Sequence, residues 1–215
     1  MNWDFPLRES DEGEDWAFAH ELPKAQARAQ YELLFADSEA RIRRLHDFAS
    51  RFGIELKHDE ASLDALNQLY YDAVDSDLLS SHSLRAIIWD VALFIGAMAI
   101  ERFPDDLRWE FAAKRPSFNG YLSPILVGYR GWPDSKFYVQ LFLMLEGDMW
   151  LWIGQHTGQI DLNERPVRRD GHDFTRTFWS ATTGVHGPPI LPLQAPPPAP
   201  VTQVATADRT ADDGA

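Results

Sequence analysis

The sequence feature that most limits the fold is a charge-free stretch, Val91–Ile100, bounded on each side by a carboxylate. It is about half of the ~20 residues that a membrane-spanning helix requires, so we interpret it as part of a buried helix. That helix is predicted to start at Ser81 or Ser83 and to end near Arg102. It is apolar nearly all round, which is typical of the middle of a core. Gly96 lies inside it, where we expect the missing side chain to permit close packing.

Two amphipathic helices are predicted before the buried one. Apolar residues recur at three- and four-residue spacing between Tyr31 and Phe52, which favours one long helix. Pro23 suits its first turn, and Gly53 suits the left-handed position that ends a helix. A second helix is predicted to start at Asp59, whose side chain can accept a hydrogen bond from the free amides of the first turn.

Beyond Pro104 the spacing of apolar residues changes from that of helices to that of strands. Leu107, Trp109 and Phe111 alternate with charged residues, which is typical of a half-buried strand. Residues 125–129 form a second short apolar run bounded by turn residues. This run predicts another strand.

The region 137–153 fits two structures. Its apolar residues alternate as in a strand, but a subset also recurs at helical spacing. We favour a hairpin over a helix, because Gly147-Asp148 is a favoured turn pair between two apolar runs. Residues 174–179 alternate again and predict an edge strand. The predicted fold class is therefore α+β, with three N-terminal helices packed on a small, mainly antiparallel sheet.

The net charge of −13 is unevenly distributed along the chain. Residues 1–22 hold seven acidic residues and one arginine, whereas residues 187–215 balance to −2 and hold seven of the 14 prolines. We predict an acidic, aromatic arm at 1–22, a single globular domain at 23–186 and a disordered, proline-rich tail at 187–215. Nucleic acid is a poor ligand for this chain, because phosphate binding needs a basic footprint.

Cysteine is absent from the chain. Disulfides, thiolate nucleophiles and cysteine-ligated zinc are therefore excluded, and the composition fits a reducing compartment. The first residues contain no basic residue followed by an apolar run, so no secretory signal is predicted. We expect a cytoplasmic protein that does not bind a membrane.

Sequence motifs for catalysis and cofactor binding are missing as well. The chain contains no Gly-x-Ser-x-Gly, no phosphate-binding loop ending in Gly-Lys-Ser/Thr, no Gly-x-Gly-x-x-Gly and no His-x-x-x-His. These patterns supply a nucleophile, a phosphate cradle, a dinucleotide site and a helix-borne zinc site, respectively. We therefore predict no catalytic residue and no cofactor.

One polar cluster leaves a metal site open as an alternative. Asp170, His172 and Asp173 place two carboxylates beside an imidazole. With His156 they would supply oxygen and nitrogen ligands for the divalent metal of a small hydrolase. The competing interpretation is a polar loop, because Asp-Gly at 170–171 is a common turn pair. We favour the loop and predict no metal ligand.

The arm interleaves aromatic and acidic side chains. Its densest part comprises Asp11, Glu12, Glu14, Asp15 and Trp16. Aromatic side chains anchor protein contacts, and complementary charges speed their formation. We predict that these five residues bind a basic protein partner. The alternative is that Trp16 and Phe18 pack on their own domain while the carboxylates keep it soluble.

The order of elements between residues 84 and 130 resembles a known group of proteins. A buried helix (Leu84 to Arg102) is followed by Leu107-Arg-Trp-Glu-Phe and then by the strand Pro124-Ile-Leu-Val-Gly-Tyr. This pattern covers about a fifth of the chain and is similar to that of uncharacterised bacterial domains, some of which are similar to the immunity proteins that neutralise secreted toxins. The resemblance implies a small α+β fold that acts by binding, and it implies no catalytic residues.

Three functional hypotheses follow from the sequence. The leading one is a non-enzymatic bacterial protein-binding domain, possibly in the manner of an immunity-like inhibitor, that holds a basic partner. The first alternative is the small metal-dependent hydrolase. The second is an interaction adaptor that works through its proline-rich tail at 187–215.

Overall fold

The structure is a computed structural model. It describes residues 3–8, 11, 22–113, 121–129, 138–157, 171–183 and 185. Within these ranges, the elements in chain order are α1 (Lys24–Ala36), α2 (Ser38–Ser50), α3 (Glu60–Asp75), α4 (Ser81–Arg102), β1 (Arg108–Phe111), β2 (Pro124–Val127), α5 (Leu141–His156) and α6 (Asp173–Thr182).

Helix α4 is the centre of the core. Its first turn is capped by Ser80, whose hydroxyl accepts a hydrogen bond from the Ser83 amide at 3.1 Å, as expected for a serine at this position. The helix packs against α2, α5 and α6, and the predicted buried helix is confirmed. By length and composition α4 would span a membrane, but 83% of its most apolar window is buried inside the fold.

The first predicted helix is divided in two at Asp37. This residue leaves helical geometry (φ −97°, ψ 2°), although its amide still donates to the Leu33 carbonyl at 3.2 Å. Arg8 binds the Asp37 carboxylate through Nε and Nη2, at 2.5 and 2.7 Å. Aspartate is a weak helix former, and this ion pair fixes its side chain against Arg8. The predicted ends are confirmed, because Gly53 has a φ of +77° and Asp59 caps α3.

The two predicted strands form a two-stranded antiparallel sheet. Its register pairs Arg108 with Val127 and Phe111 with Pro124. Val139 adds a single bridge to Leu126, with N–O distances of 2.8 and 3.0 Å. The described part of the chain is therefore a helix-rich α+β fold with a small sheet.

The hairpin predicted at 137–153 is wrong, because residues 141–153 lie in helix α5. Its buried residues recur at helical spacing and face the core formed by α3 and α4; they are Leu141, Phe142, Leu145, Met149 and Trp152. Gly147 costs only about 1 kcal/mol in a helix interior. The burial of five large apolar side chains outweighs that local preference for a turn.

The edge strand predicted at 174–179 is also wrong. Helix α6 covers these residues, and it buries Phe174, Phe178 and Ala181 on one face. The apolar residues of a single helical face happened to alternate over a short window, so period two was misleading there. Among the described residues, four helices precede the sheet and two follow it, so the prediction of three N-terminal helices holds only at the level of the α+β class.

Gly96 allows α4 to approach the sheet closely, as the sequence predicted. A Cβ atom at this position would lie 2.1 Å from Cζ2 of Trp109. The Trp109 ring is itself packed between Phe35 and Phe142, with centroid distances of 5.3 and 5.7 Å. The ring therefore has neighbours on both sides and little room to move away.

We expect Gly96→Ala to destabilise the protein by about 1 to 3 kcal/mol, because the added methyl group overpacks the core. Gly147→Ala is the matched control, since nothing lies within 4 Å of a Cβ at that position. It should stabilise α5 by roughly 0.5 to 1 kcal/mol. Urea unfolding followed by tryptophan fluorescence measures both values. Equal effects of the two substitutions would contradict the close contact with Trp109.

Candidate functional site

Four charged side chains form a buried network between the N-terminal segment and the core. We call Asp11, Arg41, Arg44 and Asp90 the charge network. Asp11 is 2% exposed, Arg44 is 6% exposed, and the other two are fully buried. Because the two carboxylates balance the two guanidinium groups, the network has no net charge.

The contacts in the charge network are short and mutual. Asp11 accepts from Nη1 of Arg41 and from Nη1 of Arg44, both at 2.5 Å. Asp90 accepts from Nε and Nη2 of Arg44, both at 2.8 Å, and Arg41 Nη2 lies 2.9 Å from the same carboxylate. Each acid therefore contacts both arginines, an arrangement that offsets the cost of removing the four charges from water.

The two acids of the charge network respond differently to their surroundings. Burial by itself would raise the pKa of Asp11, but the hydrogen bond from Arg44 and the charges of both arginines lower it overall. Burial raises the pKa of Asp90 to about 6, and Arg41 and Arg44 offset only part of that effect. The deeper position of Asp90 on α4 accounts for the difference.

The N-terminal segment is held to the core by aromatic packing as well as by charge. We call residues 3–8 together with Asp11 the strap. The ring of Trp3 lies 4.5 Å from that of Phe52, and the ring of Phe5 meets Phe48 edge-on at 5.1 Å. The Arg44 guanidinium covers the other side of Phe5 at 4.5 Å. Trp3 and Phe5 therefore pack on their own domain, whereas Trp16 and Phe18 lie outside the described residues.

The structure therefore changes the predicted partner-binding site in the arm. Asp11 is buried against Arg41 and Arg44, so its carboxylate is not presented to a partner. Sequence alone could not distinguish it from its acidic neighbours, because its counter-ions lie 30 or more positions away. Glu12, Glu14, Asp15 and Trp16 lie outside the described residues.

The residues of the alternative metal site are held by separate partners. Nδ1 of His172 lies 3.0 Å from Asp64, and Asp173 accepts hydrogen bonds from Tyr71 and Arg176. His156, at the end of α5, instead lies 2.8 Å from Asp77 and 3.3 Å from Asp75. Within the described residues, no group of three or more histidine and acidic side chains is placed to hold a metal ion. Asp170 lies outside them.

A concave surface lies at the junction of α3, α4 and α6. This cavity of about 500 Å³, which we call the acidic groove, is lined by His58, Asp59, Glu60, Met98, Glu101, Arg102 and Phe178. Met98 and Phe178 are buried and form its apolar floor, whereas the three carboxylates are exposed at its rim. Three carboxylates against one guanidinium give the groove a negative balance.

Neighbouring side chains fix the positions of the rim carboxylates. Glu60 accepts a hydrogen bond from Nε1 of Trp179 at 2.9 Å, and Glu101 is hydrogen-bonded to Nδ1 of His58. Asp59 accepts from the Ser62 amide at 2.8 Å, and this bond lowers its pKa. Trp179 itself remains 49% exposed, so an aromatic surface lies next to the acidic rim.

Sequence analysis missed the acidic groove. Asp59 was identified only as a helix cap, and Trp179 was placed in a strand that does not form. The lining residues lie in three segments, around positions 60, 100 and 178. No local pattern links segments so far apart in the chain.

The comparisons with known proteins add no relatives to this description. No protein-family model, no curated protein and no solved structure matches the chain.

The charge network gives a testable expectation for stability. Asp11→Ala leaves two buried guanidinium groups without one of their shared counter-ions, and we expect a loss of about 3 to 5 kcal/mol in the free energy of unfolding. Glu32→Gln is the control, because its ion pair with Arg28 (3.9 Å) is exposed and should contribute under about 1 kcal/mol. Chemical denaturation of both variants tests this difference, and a loss at Asp11 as small as that at Glu32 would contradict it.

Asp148 gives an expectation for pH dependence. Burial and the nearby charge of Asp173 raise its pKa from 3.8 to about 6. Between these values the folded state binds a proton more readily than the unfolded chain, so stability falls as the pH rises through this window. Asp148→Asn should therefore be more stable than the wild type at pH 7, by on the order of 1 kcal/mol. This difference in the free energy of unfolding should disappear near pH 4. Thermal unfolding at both pH values tests this; a gap that widens at low pH would refute the assignment.

Proposed function

We propose that this chain is a cytoplasmic, non-enzymatic bacterial protein-binding domain that uses the acidic groove to hold a basic side chain of a partner protein. The observation that carries the proposal is the combination of an apolar floor with a carboxylate rim in one cavity of about 500 Å³. An immunity-like inhibitor of a basic protein is the specific form of this activity that we favour.

The chemistry of the groove matches a lysine or arginine side chain. Such a side chain buries its aliphatic stem on apolar surface and keeps its charged head in a polar environment. Met98 and Phe178 supply the apolar surface, and Glu60 and Glu101 supply acceptors at the rim. A planar guanidinium can bind a carboxylate through two hydrogen bonds, so arginine is the better fit of the two.

The exposed indole beside the groove supports a protein ligand. Tryptophan is enriched among the residues that carry most of the binding energy of protein interfaces. The hydrogen bond between Trp179 and Glu60 fixes the ring of Trp179, so less conformational entropy is lost when a partner covers it. Negative charge around it would speed the approach of a basic protein.

The two alternatives from the sequence are less well supported. The metal-dependent hydrolase needs Asp170, His172, Asp173 and His156 to converge, whereas the described members of this set are bound to different acidic or basic partners. The adaptor hypothesis depends on residues 187–215, which lie outside the described residues.

The test is affinity capture on the immobilised full-length chain from extracts of its source cells, followed by identification of the retained proteins. We expect a basic protein that binds the wild type and is lost from the variant Glu60→Gln/Glu101→Gln. With the identified partner, Trp179→Ala should weaken binding by about 2 kcal/mol, which corresponds to roughly 30-fold in Kd.

The control is Glu32→Gln/Glu39→Gln, which removes the same charge from exposed positions on α1 and α2. It should retain the partner with an unchanged Kd. A partner that binds the groove variant and the wild type equally would exclude the acidic groove as the binding site. If the control loses binding to the same extent, the effect comes from the overall charge of the protein and not from the groove.

A further inference from the structure

A second cavity lies between the strap and α2. We call it the arginine cleft; its volume is about 400 Å³, and it is lined by Asp4, Pro6, Leu7, Arg8, Ala40, Arg43, Arg44, Asp47 and Arg51. Small-molecule sites in proteins are typically 300 to 1,000 Å³. Four guanidinium groups in one cavity stand out in a chain whose net charge is −13.

Arg44 forms a wall of the cleft and is fully committed to the protein. Its five N–H groups bind Asp11, Asp90 and the carbonyl of Pro6. It therefore positions the strap and is not available to a ligand. This contact helps to hold the strap next to α2, together with the aromatic packing of Trp3 and Phe5.

Arg8 is fixed in direction but keeps free donors. Its Nε and Nη2 bind the Asp37 carboxylate at 2.5 and 2.7 Å. A guanidinium has five N–H groups, so three remain after these two bonds. The side chain is 38% exposed, and it lines the cleft.

Arg43 and Arg51 supply the remaining donors. Both are exposed. Within the described residues, neither forms an ion pair of 4 Å or less. This includes Asp47 of α2, although it lies four positions from each of them in the sequence. The guanidinium of Arg51 rests on the ring of Phe48 at 5.2 Å, so stacking limits its motion. Arg8, Arg43 and Arg51 therefore line one cleft and keep N–H groups beyond those used in the bonds described above.

We propose that the arginine cleft binds the phosphate group of a small phosphorylated molecule. Phosphate presents three outward oxygen atoms, and guanidinium groups bind such oxygens through paired, charge-assisted hydrogen bonds. Arg8, Arg43 and Arg51 each bind one side of the group. Asp4 and Asp47 also line the cleft, but four guanidinium groups against two carboxylates leave its lining with a positive balance. Acidic residues farther away contribute little, because at physiological ionic strength charges more than ~8 Å apart are largely screened.

Isothermal titration of the full-length chain with inorganic phosphate and with phosphoserine tests the proposal, at an ionic strength held constant with chloride. We expect saturable binding of one phosphate group per chain. Arg43→Gln/Arg51→Gln should weaken it at least ~10-fold, which is the loss expected for about 1.4 kcal/mol. Both residues are exposed and outside the charge network, so the variant keeps the fold, and its thermal unfolding serves as the check.

Arg28→Gln/Arg108→Gln is the matched control, since it removes two arginines whose ion pairs lie on α1 and β1. It should bind both probes as the wild type does. Tighter binding of phosphoserine than of inorganic phosphate identifies a phosphorylated molecule as the ligand class, and equal binding overturns that part of the proposal. The absence of saturable binding in the wild type, or an equal loss in the control, overturns the site itself.

Discussion

The burial of four charges between the strap, α2 and α4 is the interaction on which the rest of the structure depends. Moving a charge out of water costs several kcal/mol, so the four side chains are stable inside only when every one of them is in place. Arg44 shows the consequence, since the same guanidinium binds Asp11 of the strap, Asp90 of α4 and the Pro6 carbonyl. The network ties the first residues of the chain to the central helix, and Arg44 of the network also lines the arginine cleft.

Helix α4 contributes residues to the acidic groove and to the charge network, whose Arg44 lines the arginine cleft. It contributes Asp90 to the charge network and Glu101 to the rim of the acidic groove. At 1.5 Å per residue, these positions are roughly 16 Å apart along the helix. Since α4 is buried along most of its length, the charge network and the acidic groove are both built on the core. The cavities differ in chemistry, because carboxylates surround the groove whereas guanidinium groups line the cleft.

The parts of the fold that could be predicted are those decided by short-range interactions. Backbone geometry explains the cap at Asp59 and the stop at Gly53. Alternation over a few residues explains the strand predicted from Leu107 to Phe111. Helix α5 could not be decided in this way, because its apolar residues fit both periods. The core that it completes with α3 and α4 determined the outcome. The same reason explains the missed helix α6.

The sequence by itself determined the buried helix, the cap at Asp59, the stop at Gly53, the two strands and the acidic, cysteine-free character of the chain. Only the tertiary structure decided what the charged residues do. Asp11 looked like part of an exposed acidic surface, yet it meets arginines 30 and 33 positions away inside the protein. The acidic groove could not be recognised in the sequence, because Glu60 and Trp179 are 119 positions apart. Periodicity and capping act over a few residues and can be seen in the sequence, whereas the partner of a charge is set by packing between distant segments.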